Sequence, residues 1–311
     1  MNAFQPFVGT AVPGPERDLV GYGRHAPRVP LPNGGRVAIS IVVNYEEGSE
    51  YAHPNGDGRN DGMTESIYAM DPRYRDLCAE SVYEYGSRAG IWRLERLFSA
   101  YQIPVTFFAA AVALERNREV AAWIREAGHE PCSHGWRWEE VWTLSRDEEA
   151  EHIRRAVASI TETCGQRPLG WYCRYGASVH TRELLLEEGG FEYDSDAYND
   201  DFPYYARVGT ARQLIVPYSA TYNDARFSLV PSYGSPSDYV DNLKRGFDLL
   251  HEEGADHPRL MSIGLHPRII GQASRVHALR EFLDYARAKG GAEFMRRIDI
   301  ARWWKAAHPA D

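Results

Sequence analysis

The stretch Arg36–Asn44, RVAISIVVN, carries no charge after its first residue and is rich in β-branched side chains. Short apolar runs of this kind are typical of strands buried on both faces of a sheet. A Gly/Asn/Asp-rich segment, residues 48–80, comes next, and Glu80–Tyr101 has the apolar periodicity of a helix. The run Ile103–Ala110, IPVTFFAA, then predicts a second strand. A strand, a helix and another strand in this order predict a parallel pair.

The same alternation continues along the chain. Further strands are predicted at His129–Ser133, Leu169–Cys173, Phe191–Ser195, Leu214–Tyr218 and Leu260–Leu265. Further helices are predicted at Glu115–Ala127, Ser145–Cys164, Ser178–Glu188, Ser237–Glu253, Ser274–Lys289 and Ile298–Ala307. About seven such units favour the α/β class and a distorted (β/α)7 barrel, with a doubly wound open sheet as the alternative. The Pro- and Gly-rich residues 1–35 are interpreted as an irregular N-terminal arm, and residues 36–311 as one barrel domain.

Composition narrows the function classes. The 311 residues include 35 Lys and Arg against 44 Asp and Glu, a formal net charge of −9. This balance argues against nucleic acid as a partner, because phosphate binding needs a positive surface. No apolar run reaches the length of a membrane helix, and the first residues do not resemble a secretory signal. We therefore expect a cytoplasmic protein that acts on a small molecule, without a membrane partner.

Side chains that could take part in catalysis follow four of the predicted strands. Glu46 and Glu47 end the first strand, His134 the third, Arg174 the fifth and His266 the one at Leu260–Leu265. In a β/α barrel these carboxyl ends converge on one mouth, where active sites lie. A carboxylate base, two imidazoles and a guanidinium form a plausible hydrolytic set. Each residue alone has an ordinary structural explanation, and the argument rests on their common position.

The order and spacing of these steps resemble the polysaccharide deacetylase family over residues 36–305. That resemblance implies a distorted (β/α)7 barrel, an Asp base, a metal held by Asp, His and His, and a His acid. In this chain the Asp-Asp-Gly step reads Glu46-Glu47-Gly48, and Trp138 replaces the second metal histidine. Only Glu47 and His134 match metal ligands, whereas catalytic zinc normally has three protein ligands. The expected cofactor is therefore none, with zinc or another divalent metal as the alternative.

Longer motifs resemble one branch more closely, the metal-independent allantoinases and related cyclic imide hydrolases. They are NYEEG (44–48), SVYEYGSRAG (81–90), SHGWRW (133–138), EEGGF (187–191) and MSIGLHPRIIG (261–271). The resemblance implies a cytosolic homotetramer that opens small cyclic amides. The YCRYG segment (172–176) departs from the allantoinase pattern toward the imidase-like relatives, so the ring that is opened stays undecided.

The resemblance also implies a role for each residue. Glu46 is expected to be the base, with a pKa raised by burial and by Glu47. His266 is expected to be the general acid, and Arg174 to orient the base or bind a substrate carbonyl. His134, freed from a metal, is expected to bind substrate or stabilise the oxyanion. Glu47 is expected to accept a ring N–H.

Aromatic side chains are expected to shape a small closed pocket. Trp138 would stack on a flat ring, although packing in the core explains it equally well. Tyr45 and Tyr172 are predicted to contribute to the same pocket. The 48–80 segment, with His53 and Asp57, is a candidate lid or subunit contact.

Three functions remain open at this point. The first is a metal-independent hydrolase of cyclic amides, since an imide or ureide nitrogen leaves more easily than a sugar amine and demands less of a metal. The second is a metal-dependent carbohydrate N-deacetylase. The third is a relative that binds ligands but has lost turnover.

Overall fold

The computed structural model describes residues 12–66, 68, 70–230 and 232–309. Nine strands form one sheet. They are β1 Val37–Tyr45, β2 Thr106–Ala109, β3 Glu130–Ser133, β4 Gly170–Trp171, β5 Tyr193–Asp194, β6 Tyr204–Val208, β7 Ala211–Ile215, β8 Arg259–Leu265 and β9 Ala292–Phe294. The spatial order is β6-β7-β5-β4-β3-β2-β1-β8, with β9 also paired to β1. All pairs are parallel except the β6–β7 hairpin, so the predicted α/β class and distorted barrel are confirmed.

Ten α-helices surround the sheet within the described residues. They are α1 Leu77–Tyr85, α2 Ile91–Tyr101, α3 Ala111–Arg116, α4 Arg118–Glu126, α5 Arg146–Cys164, α6 Thr181–Glu188, α7 Pro236–Glu253, α8 Pro267–Ile270, α9 Ala273–Lys289 and α10 Arg297–Ala307. The predicted capping box is present at the start of α5, where Ser145 and Glu148 bond reciprocally. The periodicity missed the β6 strand of the hairpin, the short strand β9 and the four-residue helix α8. None of the described helices is long and apolar enough to span a membrane.

Strand β1 is the centre of the sheet, and all nine of its residues are buried. It pairs with β8 along one edge and shares the other edge between β9, at Val37–Ile39, and β2, at Val42–Tyr45. A strand with neighbours on both edges and helices over its faces has no solvent side, which explains its unbroken apolar sequence. Its carboxyl end therefore lies deep in the molecule.

Two glycines bring the first helical layer close to the sheet end. A one-turn π-helix, Gly86–Gly90, joins α1 to α2. A Cβ atom on Gly86 would lie 2.4 Å from Glu47 Oε1, and one on Gly90 would lie 2.0 Å from the carbonyl oxygen of Pro267. Larger side chains would push this turn away from Glu47 and α8. The two glycines of this G-x-x-x-G sequence thus let the turn pack closely against the segments that follow β1 and β8.

The barrel closes irregularly between β7 and β8, and Arg297 bridges this side. The buried guanidinium donates to Ser195 Oγ at 2.9 Å, to Ser262 Oγ at 2.8 Å and to the carbonyl oxygens of Val216 and Pro217. Ser262 belongs to β8, whereas Val216 and Pro217 follow β7. The side chain therefore supplies donors where no regular ladder exists.

We expect Arg297→Met to lower the free energy of unfolding by roughly 3–5 kcal/mol, because two carbonyls and two hydroxyls lose their buried donor. Urea denaturation of both proteins would measure the change. The matched control is Arg302→Met on the same helix, which removes an exposed pair with Glu192 and should cost less than about 1 kcal/mol. Equal effects of the two substitutions would contradict the bridging role of Arg297.

The predicted N-terminal arm lies outside the described residues over positions 1–11. Residues 12–36 contain no helix or strand. They nevertheless pack against the barrel: Val29 and Leu31 are buried, and the Tyr22 ring meets the edges of Phe202 and Trp304.

Candidate active site

The carboxyl ends of β1, β3 and β8 surround a cavity of about 350 Å³. Glu46, His134 and His266 line it together with Trp138 and Tyr172, all predicted site residues. Three of these side chains come from strand ends far apart in sequence, and the parallel topology brings them to one place. The rest of the lining is mostly aromatic or aliphatic: Tyr175, Tyr198, Tyr218, Ala220, Ala225, Leu229 and Val230.

Glu46 lies at the centre of the polar groups and is 1% exposed. Its Oε1 atom is 3.3 Å from His134 Nε2 and 3.5 Å from His266 Nε2, and its Oε2 atom is 2.8 Å from Arg268 Nη1. Burial opposes ionisation, but the charges of Arg268 and His266 outweigh it and hold the pKa of Glu46 well below its ordinary value. The predicted rise of this pKa is wrong, because that prediction lacked Arg268.

His266 is held by a carboxylate that the sequence did not reveal. Asp224 Oδ1 lies 2.6 Å from His266 Nδ1, and Asp224 Oδ2 accepts the backbone N–H groups of His266 and Ile270. Burial lowers the pKa of His266, but Glu46 and Asp224 overcome it and raise the value to about 9. The imidazole is therefore cationic at neutral pH, with its Nε2 atom 3.5 Å from Glu46 Oε1. Asp224 follows no strand and belongs to no periodic pattern, so only the fold reveals it.

His134 contacts protein groups through both of its ring nitrogens. Its Nδ1 is 2.9 Å from the carbonyl oxygen of Tyr172, which can only accept, and its Nε2 is 3.1 Å from the indole nitrogen of Trp138, which can only donate. Nε2 also lies 3.3 Å from Glu46 Oε1, so the indole and the carboxylate both contact this nitrogen. Both ring nitrogens of His134 are thus in contact with protein groups, and its predicted oxyanion role stays a prediction. The ring also stacks on Tyr172, with centroids 5.0 Å apart.

Arg268, two residues beyond His266, is the guanidinium that contacts Glu46. It is fully buried, stacks over Tyr83 at 4.4 Å, and lies 3.6 Å from Glu47 Oε1 as well as beside Glu46. Arg268 is part of the MSIGLHPRIIG motif, but periodicity could not show that α8 brings its side chain to Glu46 and Glu47 at the end of β1. Arg174 was predicted for this position, and that assignment is corrected here.

Arg174 instead fixes the wall of the cavity. Its guanidinium donates to both oxygens of Asp61 at 2.7 and 2.8 Å and to the carbonyl oxygen of Trp138 at 2.7 Å. It also lies 3.7 Å above the Trp138 ring, which is 2% exposed. The guanidinium therefore covers one face of the indole, and only the rest of the ring can contact a ligand in the cavity.

Tyr45, the last residue of β1, and Glu47, two residues further on, do not line the cavity. Tyr45 Oη contacts Ser87 Oγ at 2.8 Å. Glu47 accepts the backbone N–H groups of Glu46 and Arg268 at 3.1 and 3.3 Å. Burial raises the pKa of Glu47 to about 7. The predicted substrate contacts of these two side chains are corrected accordingly.

The 48–80 segment is tied to the barrel by charged side chains. Asp57 pairs with both terminal nitrogens of Arg137 at 2.8 and 2.7 Å. Within the segment itself, His53 Nε2 contacts the carbonyl oxygen of Pro72 at 3.0 Å. Its Met63 side chain lines the cavity. The predicted role as a lid or subunit contact stays a prediction.

Comparison with known proteins places this site in a family. The sequence profile described as Polysaccharide deacetylase matches residues 76–193. A Schizosaccharomyces pombe protein assigned to the polysaccharide deacetylases is 35% identical over 314 residues, covering 94% of this chain and 98% of that protein. The chain belongs to the polysaccharide deacetylase family.

Two crystal structures are similar to this polysaccharide deacetylase family member over nearly their whole length. One is a Pseudomonas aeruginosa PAO1 protein assigned to the same class, with a TM-score of 0.91 and 44% identity. The other is Puue allantoinase, with a TM-score of 0.91 and 43% identity. Each comparison covers 95% of this chain and 99% of the other. The chain is accordingly a hydrolase of carbon–nitrogen bonds, an amidohydrolase.

The residues of this family member do not fit the metal that the family implies. The Nε2 lone pair of His134 accepts the Trp138 indole N–H, and Glu47 points away from the cavity toward Arg268. Within the described ranges, 12–66, 68, 70–230 and 232–309, no three His, Cys, Asp or Glu side chains form a cluster that could hold a metal ion.

The pH dependence of kcat/KM should follow His266. An acid with a pKa near 9 stays protonated through neutral pH and loses its proton as the pH rises through that value. We therefore expect kcat/KM to fall above about pH 9. Because the pKa of Glu46 is well below its ordinary value, Glu46 stays ionised down to that ordinary value and should cause no loss of activity at higher pH. Initial rates from pH 5 to 10.5 in buffers of constant ionic strength would measure both limbs. An alkaline limb near 6.5, the ordinary value for histidine, would contradict the Asp224–His266 assignment.

Proposed function

We propose that this amidohydrolase opens a small cyclic amide, such as an imide, hydantoin or ureide, with base-activated water and without a metal. The hydrogen bond from Trp138 Nε1 to His134 Nε2 at 3.1 Å carries the proposal. It occupies the lone pair that would bind the metal, and an indole has no lone pair of its own to offer. The family's metal chemistry therefore lacks two of its ligands.

The cavity supports a small planar substrate. Its volume of about 350 Å³ is at the lower end for ligand pockets, and its wall is largely aromatic. A polymer would need a groove, whereas a five-membered ring needs only such a pocket. The 43% identity to Puue allantoinase over 95% of the chain supports the same class of substrate.

Glu46 and His266 divide the proton transfers. Glu46 takes a proton from the water whose oxygen attacks the ring carbonyl carbon. His266 gives its Nε2 proton to the ring nitrogen as the carbon–nitrogen bond breaks. After the bond has broken, Glu46 is protonated and His266 is neutral, and the two side chains are 3.5 Å apart. The pKa of Glu46 is lower than that of His266. Transfer from Glu46 to His266 is therefore downhill and restores the starting state.

The substrate class suits a site without a Lewis acid. The nitrogen that leaves an imide or ureide delocalises its developing charge into a second carbonyl. The positive charges at Arg268 and His266 remain available to offset the charge that develops on the attacked carbonyl. An unstrained sugar amide expels a poorer leaving group and gains more from a metal.

A hydrolysis panel tests the proposal. It would contain allantoin, hydantoin, dihydrouracil, succinimide, maleimide and N-acetylglucosamine oligomers, each assayed with and without chelator. Ring opening that survives the chelator is the expected result. Deacetylation of the oligomers that disappears with chelator and returns with zinc would establish the competing function, metal-dependent carbohydrate N-deacetylation, which family membership alone favours.

We further propose a cytoplasmic homo-oligomer, a tetramer, as the resemblance to the cyclic amide hydrolases implies. Light scattering of the purified chain during size-exclusion chromatography would give its mass, and a monomer at micromolar concentration would contradict the proposal.

A further inference from the structure

Tyr218 lies at the cavity wall in a position that neither the sequence motifs nor the roles above account for. It is 3% exposed and follows β7. Its ring packs edge-on against Tyr172, with centroids 5.0 Å apart, and at 5.4 Å from Phe108. A Cβ atom on Gly264 would lie 2.0 Å from Tyr218 Oη, so only glycine on β8 admits the hydroxyl here.

Two amide groups bond to this hydroxyl. Asn44 Nδ2 lies 3.0 Å and Asn223 Nδ2 lies 3.2 Å from Tyr218 Oη. Backbone partners define both amide orientations: Asn44 Nδ2 also donates to the carbonyl oxygen of Leu265, and Asn223 Oδ1 accepts the N–H of Ala225. Both nitrogens are therefore donors to the hydroxyl oxygen.

Neither amide accepts the hydroxyl proton of Tyr218, so this proton can be donated to another group. Among residues 12–66, 68, 70–230 and 232–309, the structure gives Tyr218 Oη only these two hydrogen bonds, and both use its lone pairs. Burial raises the pKa of Tyr218 further above its ordinary value, so the hydroxyl stays protonated. Since the side chain lines the cavity, a substrate oxygen there would be its acceptor.

The neighbours of Tyr218 connect it to the reacting groups. Asn44 is two residues before Glu46 on the same face of β1, and Asn223 precedes Asp224, which holds His266. The hydroxyl is thus held by the same two segments that hold the base and the acid. Both ring nitrogens of His134 already have protein partners, which favours another group as the oxyanion donor.

We propose that Tyr218 is a catalytic residue whose O–H donates to the substrate carbonyl oxygen and stabilises the oxyanion, with Asn44 and Asn223 as positioning residues. This inference rests on the proposed amide hydrolysis. Removing one preorganised oxyanion donor costs about 10²–10³ in kcat. The two amide donors raise the acidity of the phenol toward a developing negative charge without deprotonating it.

Tyr218→Phe tests the assignment with whichever amide of the panel the wild type hydrolyses fastest. We expect kcat to fall by about a hundredfold with KM within about threefold, because the hydroxyl acts mainly in the transition state. Tyr205→Phe is the matched control. It removes a tyrosine hydroxyl bonded to the carbonyl oxygen of His308, and should leave kcat unchanged.

A second variant keeps the test independent of folding losses. Asn223→Asp retains the acceptor for Ala225 N–H but replaces the donor to Tyr218 with a carboxylate oxygen, which draws the tyrosine proton away from the cavity. We expect kcat to fall at least tenfold with little change in Tm. A kcat within threefold of wild type for Tyr218→Phe, or a loss confined to KM, would overturn the proposal. A wild type that hydrolyses no amide in the panel would instead overturn the proposed function, and Tyr218 with it.

Discussion

Glu46→Gln is expected to lower kcat by about a hundredfold or more, because an amide cannot take a proton from the attacking water. The substitution keeps the size and most contacts of the side chain. Arg268, which lies 2.8 Å from Glu46 Oε2, then has Glu47 as its nearest counter-ion at 3.6 Å. Steady-state rates on the preferred amide of the panel would measure the loss.

The control for this result is Glu149→Gln. Glu149 is also a fully buried carboxylate, but it accepts hydrogen bonds from Ser178 and Thr181 and lies outside the cavity. It should retain kcat even where Tm falls. Comparable rates for Glu46→Gln and the wild type would exclude Glu46 as the base.

Asp224→Asn should have an even larger effect, a fall in kcat of about 10³–10⁴, as expected when the carboxylate that orients a catalytic histidine is replaced by an amide. Two backbone N–H groups, those of His266 and Ile270, face one oxygen of Asp224 and cannot turn away. The asparagine oxygen must stay with them, so its NH₂ group faces His266 Nδ1. Protonation of that nitrogen is then disfavoured, so the imidazolium form is no longer the stable one at neutral pH.

The same variant should change the pH profile in a defined direction. Without the Asp224 charge, the pKa of His266 falls from about 9, so the alkaline limb of kcat/KM moves to lower pH. Asp238→Asn, a substitution in the first turn of α7, provides the control with an unchanged profile. An alkaline limb that stays near 9 in Asp224→Asn would show that another group titrates there.

The polar centre of the site shows where sequence reasoning succeeds. Glu46, His134 and His266 follow predicted buried strands, and parallel strands present their carboxyl ends at one mouth. Of the three neighbours Tyr45, Glu46 and Glu47, only Glu46 lines the cavity, although the expectation placed all three near one pocket.

The protonation states of these groups show where sequence reasoning fails. The direction of the Glu46 pKa depends on a guanidinium 2.8 Å away, and the cationic state of His266 depends on Asp224, 42 positions earlier in the chain. Neither distance follows from periodicity, since α8 is too short to have one and Asp224 lies in a 3-10 turn. Electrostatic shifts fall steeply with separation and rise with burial, so they require coordinates.

The linear order of residues by itself determined the alternating strands and helices and the capping box of α5, since each depends on chain neighbours. Tertiary structure alone decided that Arg268 rather than Arg174 lies beside Glu46, that Arg297 bridges the irregular side of the barrel and that Asn44 and Asn223 both donate to Tyr218 at the cavity wall. These outcomes depend on distances between segments far apart in sequence, which only the packed chain defines.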